Sequence, residues 1–407
     1  MKILQLSKKF PYPVKDGESL AIANLSKAFA ELGCSVSLLA MNTRKHWVDT
    51  QSLPPALDYY SHIETVMVDN RIKPLRAFRN LFCNTSYHIE RFIEPRFSET
   101  LAGILQREPF DVVQLETLYL APYIPVIRRH SDALVAMRAH NVEHEIWERV
   151  AVNSPLLKRR YLQHITPRLK AYETAQLNHY DLMVSISARD LDHFHAMGLQ
   201  KPGVIAPIGI DCRVYEPDRS SFTRPLSLSF IGSLDWMPNV EGLRWFLDQV
   251  WKPLLSRRFP ALELHIAGRN TPAWLTNLRL PGVHVHGEVP SAPDFINRHS
   301  VMVVPLLSGG GMRAKALEGM ALGKVVLSTT LGMEGIDAVD KEHCLVADTP
   351  EAFSQAITWC IQQGPRLQPL GERARNLCEQ RYDNIAIAHA LADTYRRQLN
   401  RQHALVS

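Results

Sequence analysis

Residues 301–336 limit what this chain can fold into more than any other stretch. Val301–Leu307 (VMVVPLL) is a continuous apolar run of the kind that forms a strand buried on both faces. Ser308-Gly309-Gly310-Gly311 follows directly, Met312–Gly323 carries Leu317, Met320 and Ala321 at helical spacing, and Val325–Thr329 is a second strand-like run. Two strands joined through a helix pair in parallel, because that pairing requires a crossover and the crossover is a helix. The fold expected is an open parallel sheet covered by helices. The glycine loop then lies at the carboxyl edge, where such sheets collect ligands.

The same alternation runs along the whole chain. Lys2–Leu6 reads as a strand, Ser19–Leu32 as a helix stopped by Gly33, and Ser35–Met41 as the next strand. Asp111–Leu115, Ala133–Ala139, Asp181–Ser187 and Val204–Pro207 are further strands. Asn141 is placed to cap the helix after the second of these, and Ala151–His179 is a long helical pattern broken at Pro155 and Pro167. Asp218–Arg224 is polar and without period, which marks a domain boundary. Beyond it come Leu226–Ile231, a helix over Pro238–Val250, and strands at Leu262–Ala267 and Val283–His286. After the 301–336 unit, helices over Pro350–Gln363, Leu370–Arg381 and Asn384–Leu399 close the chain. The reading is α/β, with Rossmann-like doubly wound domains over 1–217 and 225–383.

Charge placement suggests the ligand. Arg313 and Lys315 stand in the first turn of the 312–323 helix, where a cation has the wrong sign for the helix dipole. A bound diphosphate removes that penalty, and glycines let the backbone approach it. Glu318, one turn on, is at the right remove to accept hydrogen bonds from hydroxyls of the same ligand. The alternative is an ordinary Lys315–Glu318 surface pair at i,i+3 spacing. Two look-alike motifs fail. Gly319–Lys324 (GMALGK) lacks the spacing and the Ser or Thr of a P-loop, and the first strand–helix loop has no GxGxxG. His140-Asn141-Val142-Glu143-His144 spells H-x-x-E-H, but His140 abuts a strand, so zinc is not expected there.

Glu318-Gly319-Met320-Ala321-Leu322-Gly323-Lys324-Val325-Val326 resembles the second half of the donor-site signature of the retaining family 4 (group 1) glycosyltransferases. The resemblance implies a GT-B fold: two Rossmann-like domains facing across a cleft, with the C-terminal helix 384–400 crossing back to the first. It also implies that Glu318 holds the ribose of a nucleotide sugar. The signature's first acid falls on Gly310, so backbone N–H groups of Gly310 and Gly311, with Gly309 beside them, are expected against the sugar or phosphate. Ile208-Gly209-Ile210-Asp211 resembles the phrase that closes the family's first domain. In Gly232–Phe246 (GSLDWMPNVEGLRWF), Ser233 after Gly232, and about Asn239, stand where the family's phosphate-clamping Arg and Lys usually are. Arg313 and Lys315 are then expected to supply the missing charge. Arg269 is a further phosphate ligand or a plain solvated cation. Val283–His286, then Gly287-Glu288-Val289, resembles the family's segment that cradles the base through backbone groups. Gly17 and Glu18 fall on the acceptor-side loop, with Glu18 in place of a second glycine. At strand ends, His140 would hydrogen-bond the sugar near the reacting carbon, and Glu116 is a candidate acceptor base.

The totals exclude other classes. A net charge of +5 over 407 residues is too small to argue for nucleic acid, and suits an anionic substrate or membrane surface. Six scattered cysteines give neither a zinc site nor a disulfide framework. The first strand starts at residue 2, and no apolar run approaches the roughly 20 residues that span a bilayer. The location expected is the cytoplasm or the inner face of a membrane. From Arg71 to Arg96, cations interleave with Phe78, Phe82, Tyr87 and Phe92, either as a surface for anionic lipid or a lipid-linked acceptor, or as a basic helix packed on its own domain. The function expected is transfer of a sugar from a nucleotide sugar to a glycan or lipid-linked hydroxyl, without metal or other cofactor, in polysaccharide or glycolipid synthesis. An epimerase or phosphorylase of the same fold, or a non-catalytic nucleotide-sugar-binding protein, stands as the alternative.

Overall fold

The computed structural model describes residues 1–14, 17–44, 47–49, 53–71, 80, 85–152, 154–309 and 312–406. The chain divides into two compact units, Met1–Gly209 with Asn384–Ser407, and Ile210–Asp383. The division falls just upstream of the polar stretch 218–224.

Unit 1 is built on a seven-stranded parallel sheet: β1 (Lys2–Ser7), β2 (Ser35–Thr43), β3 (His62–Val68), β4 (Val112–Leu115), β5 (Leu134–Ala139), β6 (Leu182–Ser185) and β7 (Gly203–Ile205). The order across it is β3-β2-β1-β4-β5-β6-β7. Alternate residues feed opposite faces. Leu4, Leu39, Val113 and Met137 join one core, whereas Ile3, Leu38, Val112 and Ala136 join another beneath helix α1 (Gly17–Glu31) and the C-terminal helix Asn384–Val406. That last helix is fixed to the sheet by Leu391 and Tyr395, whose hydroxyl donates to Gln114 Oε1 at 2.6 Å.

Two features of unit 1 differ from the sequence reading. Helix α2 (Glu143–Val152) is not capped by Asn141; the N–H groups of Glu143 and His144 donate to the Glu173 carboxylate, at 2.9 and 3.2 Å. Glu173 belongs to helix α3 (Leu156–Gln176), which runs unbroken through Pro167. Its apolar stripe (Leu162, Ile165, Leu169) is buried, and this packing outweighs the one backbone bond a proline removes.

Unit 2 carries a six-stranded parallel sheet of β8 (Ser227–Ile231), β9 (Glu263–Ala267), β10 (Val283–Gly287), β11 (Val301–Val304), β12 (Val325–Ser328) and β13 (Leu345–Val346), in the order β10-β9-β8-β11-β12-β13. Helix α4 (Met237–Trp245) passes into a π-helical segment, Phe246–Leu255, that holds Pro253; the single helix expected over Pro238–Val250 is therefore two elements. Further on are the short helix α5 (Ala292–Asn297) and helix α6 (Ala314–Ala321). Among the described residues no helix is long and apolar enough to cross a membrane.

Lys324, the last residue of the P-loop look-alike, is 1% exposed. Its ammonium donates to the Asp218 carbonyl, Ser221 Oγ and the Asn297 carbonyl at 2.6, 3.0 and 3.1 Å. It clips the start of unit 2 to the sheet and has no donor left for a phosphate. Lys324→Met is expected to lower unfolding stability by about 2–3 kcal/mol, because it strands buried acceptors. Urea titration would show this as a fall in midpoint at unchanged slope.

Candidate active site

In each sheet the strand order reverses once, at β8/β11 in unit 2 and at β1/β4 in unit 1. The loops leaving those strands splay apart, opening a crevice at the carboxyl edge. Most of the described candidate residues lie at these two places, with Val289 after the edge strand β10.

In unit 2 the loop after β8 is laid against the loop after β9. Gly232 donates to the Ala267 carbonyl and Leu234 to the Arg269 carbonyl, at 3.2 and 2.9 Å. A Cβ at Gly268 would lie 1.9 Å from the Gly232 oxygen, so no other residue permits this approach. Ser233 Oγ and Asn270 Nδ2 donate to Asp235 at 2.6 and 3.0 Å. These hydrogen bonds, together with the charge of Arg269, hold the Asp235 carboxyl below its ordinary range. Arg269, in the loop after β9, thus acts on an acid of the neighbouring β8 loop. Val289 lies half-buried in the turn after β10.

Lys315 ties the switch point together. Its ammonium donates to Asn239 Oδ1 at 2.5 Å and stands 4.9 Å from the Phe230 ring centre, while Asn239 Nδ2 donates to the Ser233 carbonyl at 2.8 Å. A Cβ on Gly232 would lie only 2.9 Å from Lys315 Nζ. The cation from the β11 side is thus brought to the β8 loop, beside Ser233 and Asn239. Burial, with Arg313 adding to it, pushes the Lys315 pKa down to about 7. Arg313, 5% exposed, caps α6 and folds back toward Gly309, whose φ of +107° only glycine holds without strain, and toward Trp236. Ser308 Oγ donates to Glu241 at 2.6 Å. Gly310 and Gly311 lie outside the described residues.

Glu318 does not pair with Lys315 as a surface salt bridge. It accepts from the Tyr215 hydroxyl at 3.1 Å; burial raises its pKa, and Tyr215 and Lys315 offset this in part. The cap residue Arg313 and, from the first turn and a half of α6, Lys315 and Glu318 therefore stand together at the crevice. Tyr215 lies 103 residues from Glu318, and no local pattern announces it.

In unit 1, Lys8 and Lys9 follow β1 and meet Glu18 of α1 at 3.3 and 3.6 Å. Gly17 begins that helix. Glu116, just past β4, has no exposed surface; Gln5 and Gln114 donate to one oxygen, and Arg138 and His140 approach the other at 3.2 and 3.0 Å. Burial raises its pKa, but Arg138 and then His140 more than reverse this. A sealed, ionised carboxylate with lowered basicity does not suit the role of acceptor base; it orients His140. Burial lowers the His140 pKa against the pull of Glu116, so the ring is neutral. Because ionised Glu116 only accepts, Nε2 carries the proton. Nδ1 is left as an acceptor with no partner among the described residues.

The H-x-x-E-H phrase does not converge on a metal position. His140 engages Glu116, and His144 engages Glu173 at 2.7 Å. Glu143, the middle of that phrase, is a group sequence reasoning passed over. It accepts from Tyr119 at 2.9 Å, and burial, opposed by Lys8, pushes its pKa up to about 7. Of the 71–96 stretch, Lys73, Arg76, Phe78, Arg79 and Phe82 lie outside the described residues. Tyr87 and Phe92 are buried, so they offer no surface to a lipid.

The glycosyl transferases group 1 family matches residues 225–363. A protein in the cps region of Klebsiella pneumoniae is 22% identical over 398 residues, covering 94% of this chain and 97% of its own. Sucrose-phosphate synthase from Thermosynechococcus elongatus superposes with a TM-score of 0.69 at 16% identity, over 98% of this chain and 100% of that one. Anabaena HepE, solved with UDP, gives 0.67 at 13% identity, with the same coverage. A second HepE structure, holding UDP-glucose, gives 0.64 at 14%, again with the same coverage. Residues 225–363 thus match the glycosyl transferases group 1 family, and the chain has the fold of GT-B glycosyltransferases.

Proposed function

We propose that the protein moves a sugar from a nucleoside-diphosphate sugar to an acceptor hydroxyl, with unit 2 holding the donor and unit 1 serving the acceptor side. The observation that carries this reading is the Lys315 ammonium held between Asn239 and Gly232 at the β8/β11 switch point. There it replaces a cation the β8 loop lacks. The complexes of HepE with UDP and UDP-glucose support a uridine donor.

Transfer proceeds with retention. The bond from the anomeric carbon to the diphosphate breaks, the acceptor oxygen attacks the same face, and its proton passes to the departing diphosphate. Arg313, Lys315 and the α6 N-terminus stabilise the negative charge that develops on the leaving group. With two cations in that role, transfer is expected to persist in EDTA. The acceptor is a glycan or lipid-linked hydroxyl in cell-surface polysaccharide or glycolipid synthesis, reached at the inner face of the membrane. The relative's place in a cps region supports this.

His140, whose buried Nδ1 has no partner among the described residues, takes a hydrogen bond from a sugar hydroxyl near the reacting carbon. His140→Ala is expected to lower kcat about tenfold, the worth of one such bond, with donor KM little changed. The reading as a whole is tested by thermal shift with a panel of nucleoside diphosphates and their sugars, followed by assay of donor consumption. A melting temperature unmoved by every nucleotide would sink it.

A further inference from the structure

The amino end of β9 and its neighbour β10 carry a group of side chains that sugar transfer does not use. Glu263 and His265 project from one face of β9, two residues apart, while Leu264 between them enters the core. His284 of β10 stands directly across from His265 in the strand register, on the same face. His265 Nε2 is 3.1 Å from one Glu263 oxygen, His284 Nε2 is 3.5 Å from the other, and the three residues' ligand atoms all lie within 4.8 Å of one another. A tetrahedral ion bound at about 2.0–2.1 Å sets its ligands about 3.4 Å apart. These spacings therefore need little rearrangement.

The ring that would contribute most is already oriented. His265 Nδ1 is 3.0 Å from His286 Nε2, which fixes the other nitrogen toward Glu263, and the His284 and His299 rings pack on it at 4.7 and 4.3 Å. His299 is in turn bonded to Ser227 Oγ at 2.9 Å. The side chains of Glu263 and His284 are 53% and 47% exposed, which leaves an entry path from solvent.

We propose that Glu263, His265 and His284 bind one divalent transition-metal ion of the zinc class, with water completing its coordination. The ion staples the edge strand β10 to β9. Its place is at the opposite end of β9 from Gly268, so it stabilises unit 2 without taking part in transfer.

The test uses the full chain, stripped with chelator and desalted. Titration with Zn2+ should show one saturable equivalent and a rise in melting temperature, and Co2+ should give the intense visible absorption of a tetrahedral site. His284→Ala and His265→Ala should each weaken Zn2+ binding at least tenfold. His389→Ala, on the exposed face of the C-terminal helix, should leave it intact. The proposal is overturned if no stoichiometric equivalent binds at micromolar zinc, or if the affinity of a folded His284→Ala matches the parent.

Discussion

Lys315→Met should lower kcat/KM for the donor by about 10²–10³-fold and, at the same time, raise the melting temperature of the ligand-free protein. The first effect is the loss of one preorganised donor to the leaving diphosphate. The second follows from the same burial. The folded protein holds Lys315 with a pKa of about 7, whereas an unfolded chain holds a lysine near about 10.4. Between those values the unfolded state binds more protons, so stability rises with pH through the window. Methionine removes the desolvated charge and that slope, and a net gain of about 1 kcal/mol would lift the midpoint by about 2–4 °C. The pH profile gives a further check. Free enzyme loses its ammonium as pH rises through about 7, so kcat/KM falls on the alkaline side. A bound diphosphate holds the proton, so kcat stays flat to higher pH. Arg313→Ala should reduce kcat more than donor affinity. Wild-type kinetics in the Lys315 variant would remove the residue from the site.

The strands most legible in the sequence are those buried on both faces. β4, β5, β6, β11 and β12 are made mostly of apolar residues because neither side of the sheet meets water there. β3 and β13 went unread. β3 is an edge strand in which only Val66 and Val68 are buried, and β13 is an edge strand of two residues, so neither leaves a pattern. The π-helical segment and the unbroken passage through Pro167 depend on tertiary packing that local spacing does not encode.

At the site, the glycines and the Arg313–Lys315–Glu318 turn could be read because they lie within ten residues and carry charge where a bare helix would not. Their partners could not. Asn239 and Tyr215 reach α6 from 76 and 103 residues away, and only the closing of the sheet brings them there. Glu116 was legible as a strand-end acid but not in its role, since burial between Arg138 and His140 decides that.

Glu318→Gln should weaken binding of a nucleoside diphosphate by about 10²-fold while leaving inorganic pyrophosphate nearly unaffected. A carboxylate accepting from both ribose hydroxyls makes charge-assisted bonds worth about 1.5–3 kcal/mol, and pyrophosphate has no ribose to lose. Lys315→Met should weaken both ligands, so calorimetry on the two variants separates the ends of the donor. The protonation of Glu318 gives a second signature. Burial raises its carboxyl pKa, so nucleotide affinity should weaken as pH falls through that raised value, and the glutamine variant should lack this limb. Tyr215→Phe removes the one hydroxyl that favours the ionised form, and should move the same limb to higher pH with glutamate still in place. If nucleotide and pyrophosphate weaken equally in Glu318→Gln, the acid is holding the fold of the loop and not the ribose.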